Sequence, residues 1–210
     1  MSYYPIFLDI KNIRCVVVGG GVVALRKTSM LLDHDAQVTV ISPQLCPELE
    51  KMAGNTITAV RREYEIGDLK GAFVVVAATD DQTINEQVAT DASEKGILIN
   101  VVDVPALSNF IVPSYLKRGD LTIAVSTNGK SPALSRKIRI KLEEAFEREY
   151  AQLIAVVEEV RTELKTKGIE VSSEVWQAAL DLDGLLDLIR SGQANQARAK
   201  LQESLMEAKF

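Results

Sequence analysis

The sequence predicts an α/β protein built on a doubly wound parallel sheet, followed by a small α+β segment and a helical C-terminal part. Three observations carry this reading. Strand-length apolar runs alternate with longer amphipathic stretches as far as residue 105, a glycine triplet follows the first of those runs, and no strand pattern occurs after Tyr150. The expected strands are Cys15–Val18, Gln37–Ile41, Ile57–Val60, Phe73–Ala77 and Ile97–Val101. Near-continuous Val, Ile and Ala in FVVVAA and ILINVV suit strands covered on both faces. The intervening helices are expected over Val22–Leu32, Leu45–Ala53 and Asp81–Lys95, with Gly96 as a C-terminal stop.

After Pro105 the pattern changes. SNFIVPSYLKRGDLTIAVS holds two short apolar segments separated by Arg118-Gly119-Asp120, a turn between antiparallel strands. Ser131-Pro132 then supplies an N-cap with proline at the first helical position, and Leu134, Ile138, Leu142 and Phe146 recur along one face. The remaining helical patterns break at Lys167-Gly168 and Ser191-Gly192. Trp176, Leu180, Leu182, Leu185 and Leu186 read as core packing for this part, or as a cover for a partner subunit's cleft. The expected domains are 1–111, 112–147 and 148–210.

Composition narrows the function classes. The chain of 210 residues is 47% hydrophobic, and its net charge of −5 gives no support to a general nucleic-acid-binding role. No apolar run approaches the length needed to span a bilayer, and no basic region followed by an apolar stretch opens the chain, so no membrane role is expected and the location reads as cytoplasmic. Cys15, Cys46 and the single histidine, His34, make neither a disulfide framework nor a His/Cys metal cage. Cys15 falls in an apolar strand, Cys46 has no base beside it in sequence, and His34 falls at the end of the first helix.

Gly19-Gly20-Gly21-Val22-Val23-Ala24 fits G-x-G-x-x-A between a strand and a helix, the dinucleotide fingerprint of a Rossmann fold. Gly19 serves the tight turn, Gly21 the close approach of backbone to ligand, and Ala24 the packing of helix on sheet. Amides at the helix start then face a pyrophosphate. The acidic ribose ligand expected at the end of the second strand is missing, its place taken by Ser42-Pro43-Gln44. No arginine stands there for a 2′-phosphate, which favours NAD over NADP; Arg61 and Arg62 are the alternatives for such a contact. At the end of the fourth strand Thr79 is a candidate for a ribose or pyrophosphate contact, with Asp80 or Asp81 as the cap of the next helix.

A carboxylate, Asp103, stands just beyond the fifth strand in NVVDVP. It fits an Asx turn ahead of Pro105 and equally a proton acceptor at the cleft edge.

Together these residues resemble the precorrin-2 dehydrogenase family, comprising the siroheme-synthase N-terminal region and its stand-alone relatives. The resemblance is carried by PIFLDI, VVVGGGVVALRK, VTVISP, VVAATDD with Asn85, NVVDVP followed by FIVPS, and AVSTNGKSPALSRKIR, in family order across residues 5–141. It implies NAD-dependent oxidation of precorrin-2 to sirohydrochlorin by a homodimer whose central segment, Val112–Glu147, forms the subunit interface. It places the catalytic aspartate at Asp103 and cofactor contacts at Val22, Val23, Pro43, Gln44 and around Thr79.

Precorrin-2 is a polycarboxylate, so its site is expected to be basic. Between Gly129 and Leu142 the chain has Lys130, Arg136, Lys137, Arg139 and Lys141 and no acid, which fits either a substrate-facing surface or a solvated helix face. Lys130, Arg136 and Arg139, with Asn109, Phe110 and Ser114 after Asp103, are the expected substrate contacts. Two rival readings are a bifunctional dehydrogenase and ferrochelatase, and a non-enzymatic NAD-sensing module whose helical tail engages a partner.

Overall fold

Valine-rich runs become strands where both faces of a sheet are covered. In the computed structural model, which describes residues 3–207, β1 (Arg14–Val18), β2 (Gln37–Ile41), β3 (Thr58–Val60), β4 (Val74–Ala77) and β5 (Leu98–Val101) make one parallel sheet in the order β3-β2-β1-β4-β5. The C-terminal ends of all five strands fall where the sequence predicts them, and the starts differ by at most one residue. Alternate residues feed opposite faces. Cys15, Val17, Val38, Val40, Val74 and Val76 pack with α1 (Val22–Leu32) and α2 (Pro47–Met52), while Val16, Val18, Val75, Ala77 and Ile99 pack with α3 (Gln82–Glu94).

Helix boundaries follow their caps. The second helix is shorter than expected because Cys46 is extended and Pro47 takes the first helical position. The third begins after Asp81, whose Oδ1 accepts from the Thr83 and Ile84 amides at 2.8 and 3.2 Å. Below it a buried polar group is satisfied: the Tyr64 hydroxyl donates to Asp91, which also pairs with Lys95. Burial pushes the Tyr64 phenol up to about 12.

The chain divides between Val112 and Pro113 into two compact units. In the second, β6 (Ser114–Arg118) and β7 (Leu121–Val125) form an antiparallel hairpin across Gly119, at φ +58°. Ser131 then caps α4 (Pro132–Ala145), its Oγ accepting from the Leu134 amide at 3.2 Å. Four helices, α5 (Glu149–Thr166), α6 (Ser173–Ala179), α7 (Leu182–Arg190) and α8 (Ala194–Glu207), share a core of Leu153, Val160, Leu185, Leu186 and Leu201. Trp176 and Leu180 pack against this core. Leu182 corrects the expectation: it opens α7 beside its cap Asp181 and is 48% exposed. No described helix is long and apolar enough to cross a membrane.

Candidate active site

Strand order reverses between β1 and β4, and in open α/β sheets ligands bind outside the carboxyl ends of the strands at such a point. A cavity of about 580 Å³ lies there, within the range of small-molecule sites. The expected cofactor residues Gly19, Gly21, Val22, Val23, Ser42, Pro43, Gln44 and Thr79 all line it. Ala24 does not; it is fully buried beneath the loop, in the packing place the motif assigns it.

The three glycines have three different reasons. Gly19 sits at φ +126°, and a Cβ there would lie 2.3 Å from the Ala78 carbonyl oxygen. A Cβ on Gly20 would lie 1.8 Å from the Gln44 carbonyl oxygen, where the loops after β1 and β2 are latched by the Cys46 amide donating to Gly20 O at 2.7 Å. Gly21 has neither reason: it is extended at φ −85°, and nothing lies within 4 Å of the Cβ it lacks. The missing side chain leaves open cavity at the N-terminus of α1. No side chain caps that helix, so its first amides are left for an anion. The cradle therefore fits the pyrophosphate of a dinucleotide.

The wall from the second strand is preorganised. Ser42 Oγ donates to the Gln44 carbonyl at 2.8 Å, which leaves its hydroxyl oxygen as an acceptor where an acid is usual. Thr79 is held still more closely. Its Oγ1 lies 2.9 Å from the Asp81 carbonyl and 3.0 Å from Asn85 Oδ1, and it accepts from the Asp81 amide at 3.1 Å. Its hydroxyl proton is thus spent inside the turn. Glu63, Tyr64 and Cys46 also line the cavity. The 61–72 stretch carries no periodic signal, so only the fold reveals that Glu63 and Tyr64 belong to the site.

The two arginines considered for a 2′-phosphate are both occupied. Arg61 pairs with Glu50 at 2.6 Å, and Arg62 forms a two-pronged pair with Asp68 at 2.7 and 2.8 Å. These bonds hold the Glu50 and Asp68 carboxyls below their usual range.

Asp103 lies outside the cavity lining, two residues past β5 and on the β4 side of the sheet. It takes the left-handed conformation at φ +59°, which aspartate tolerates better than most residues. The bend that carries it is pinned on three sides. The Val102 amide donates to Ala77 O at 2.9 Å, the Val104 amide to Val101 O at 3.2 Å, and Ser108 Oγ accepts from the Val101 amide at 2.9 Å. The Asp103 side chain is exposed and makes no hydrogen bond or ion pair among the described residues. Its field nevertheless reaches α1: burial and then Arg26 push the Lys27 ammonium below its ordinary value, and the Asp103 carboxylate pulls it back up. Sequence reasoning missed both Ser108 and Lys27.

The expected substrate contacts fall in both units. The Asn109 carboxamide is engaged with β5, accepting from the Ile99 amide at 2.8 Å and donating to Ile97 O at 3.0 Å, so it shapes the loop. Phe110 packs on the α1 face of the sheet. Ser114, Lys130, Arg136 and Arg139 belong to the second unit. Lys130 and Arg136 are exposed and unpaired among the described residues, whereas Arg139 pairs with Glu143. His34 follows α1, its Nδ1 at 2.9 Å from Met30 O. No group of three or more metal-ligating side chains occurs among the described residues.

A parallel sheet with this glycine cradle at its switch point defines a dinucleotide-binding protein of the Rossmann type, and comparison with known proteins refines the class. Residues 6–114 match a family described as putative NAD(P)-binding, and residues 118–145 match one described as sirohaem biosynthesis protein central. The siroheme synthase of Thioalkalivibrio sulfidiphilus (strain HL-EbGR7) is 39% identical over 208 residues, covering 98% of this chain and 42% of that protein. For the siroheme synthase of Nitrosococcus oceani the identity is 37%, over 98% and 44%. A solved structure described as SirC, precorrin-2 dehydrogenase, superposes with a TM-score of 0.71 at 27% identity over 99% of both chains. The chain belongs to the family that unites precorrin-2 dehydrogenases with the corresponding part of siroheme synthases. It spans less than half the length of those curated relatives.

Proposed function

We propose that this chain binds NAD in the cavity at the β1–β4 switch point and oxidises precorrin-2 to sirohydrochlorin, a step in siroheme biosynthesis. The observation that carries the reading is Gly21, which neither backbone conformation nor packing requires and whose absent side chain leaves room at a helix N-terminus. The α1 amides hold the pyrophosphate, and the Ser42–Gln44 turn receives the adenosine half beside β2. When bound, NAD supplies a nicotinamide ring that accepts a hydride from the reduced macrocycle.

Asp103 takes the proton that leaves the substrate. It stands on the β4–β5 side, opposite the adenosine side, and among the described residues its carboxylate has no hydrogen-bond or ion-pair partner to compete for that proton. Lys27 on α1 lies within the field of the Asp103 carboxylate. Lys130 and Arg136 offer cations to the substrate carboxylates. Preference for NAD over NADP follows from Arg61 and Arg62 being tied to Glu50 and Asp68, and from an acidic residue, Glu63, among those that line the cavity.

The working form is a homodimer. Leu134 and Ile138, one turn apart on the same face of α4, are 51% and 37% exposed, an apolar pair that a second copy would cover. The function is tested by anaerobic incubation with enzymatically made precorrin-2 and either dinucleotide. Sirohydrochlorin formed with NAD and only slowly with NADP is expected; equal rates would overturn the cofactor assignment, and no product with either would overturn the reaction.

A further inference from the structure

The second unit contains a cavity of about 770 Å³ that the dehydrogenase reading does not use. Its origin is local. The α5 helix ends in a Schellman turn at Gly168, φ +68°, with the Ile169 amide donating to Leu164 O at 2.9 Å. That turn brings the following segment and α6 back along α5, so that Val157 and Leu164 of α5 face Trp176 and Leu180 across the gap. Arg161 and Lys165 belong to the same lining. They lie one and two turns beyond Val157, on the same side of the helix.

Charge marks this cavity out. From Glu149 to the end of the described chain there are six basic residues. Four are ion-paired: Lys167 and Arg198 with Glu163, Arg190 with Asp187, and Lys200 with Asp181. The two without a partner among the described residues are Arg161 and Lys165, and both line the cavity. Glu158 and Glu159 on the same helix are not in the lining, and Glu170 is its only acid among the described residues. Two cations against one carboxylate leave a single net positive charge beside an apolar floor. That balance suits a small anion with an apolar body and does not suit a polycarboxylate such as precorrin-2.

We propose that this cavity is a second ligand site, for a small amphipathic carboxylate or sulfonate, its apolar body against Trp176 and Leu164 and its anionic end between Arg161 and Lys165. Trp176 is the chain's single tryptophan and lines this cavity, so all tryptophan fluorescence arises from its wall, and the Arg161 and Lys165 variants tell dye bound there from dye bound elsewhere.

The probe is anilinonaphthalenesulfonate, titrated into the full chain with NAD saturating to fill the first cavity. Energy transfer from Trp176 is expected to saturate at one dye per chain. In Arg161→Gln/Lys165→Gln the dissociation constant rises about tenfold, as loss of two charge-assisted contacts predicts, whereas the uncharged phenylnaphthylamine binds both proteins equally and weakly. Both substituted residues are exposed and have no partner among the described residues, and an unchanged circular dichroism spectrum and Tm verify that the variant folds. The single variants Arg161→Gln and Lys165→Gln are expected to fall between. No saturable transfer, or sulfonate and neutral dye binding alike with no effect of the double variant, would overturn the proposal. So would a shift in self-association on substitution without any change in dye binding, which would make the cavity a subunit contact. None of these readouts depends on dehydrogenase turnover.

Discussion

Asn85 and Thr79 hold each other by two hydrogen bonds: Asn85 Nδ2 donates to the Thr79 carbonyl at 3.0 Å, and the Thr79 hydroxyl lies 3.0 Å from Asn85 Oδ1. The first turn of α3 thereby fixes the cavity wall at the end of β4. Asn85 is buried, so its loss leaves the Thr79 carbonyl without that donor. Asn85→Ala is expected to cost about 1–2 kcal/mol in chemical denaturation and to weaken NAD binding several-fold by calorimetry. Unaltered affinity in a destabilised variant would confine Asn85 to a structural role.

Gly19 and Gly21 separate fold from function. Gly19→Ala puts a methyl against the Ala78 carbonyl in a backbone conformation alanine avoids, and the variant is expected to be severely destabilised. Gly21→Ala meets nothing in the protein. Its Tm is expected to hold or rise slightly, by up to about 1 kcal/mol of added stability, while NAD affinity measured by calorimetry falls at least about tenfold.

That contrast also shows what was legible in the sequence. The strand ends, α1, the hairpin and the glycine cradle follow from local signals: branched apolar runs, a glycine triplet, a Ser-Pro cap. Gly20 was visible but without a reason, because its clash is with Gln44, brought near only by the β2 loop. Glu63 and Tyr64 in the cavity wall, Ser108 behind Asp103, and Lys27 within its field all depend on contacts between segments distant in sequence or on irregular backbone. The engaged state of the Asn109 carboxamide was hidden for the same reason.

The two thiols are expected to differ in reactivity. Burial in β1 pushes the Cys15 thiol up to about 11, so it stays protonated and inaccessible in the folded chain. Cys46 is partly exposed and lines the dinucleotide cavity. Iodoacetamide, followed by mass spectrometry, is expected to label Cys46 first, and saturating NAD to slow that labelling several-fold. Equal labelling with and without NAD would remove the cofactor from this cavity.

Acid stability tests the Arg62–Asp68 pair. Arg62 holds the Asp68 carboxyl below its unfolded value, so the pair's contribution is fully present above about pH 4 and is lost as pH falls through the folded value. Asp68→Asn is expected to cost about 1 kcal/mol at neutral pH. The gap between variant and wild type closes in acid, as followed by denaturant titrations across pH.

The most direct test of the account is anaerobic turnover of precorrin-2 with NAD, following NADH and sirohydrochlorin together in wild type and in Asp103→Asn. The account predicts equal amounts of both products from wild type. It also predicts a rate in the variant at least about a hundredfold lower, with NAD affinity unchanged. A wild-type protein that binds NAD yet yields neither product, or a variant that turns over at the wild-type rate, would contradict it.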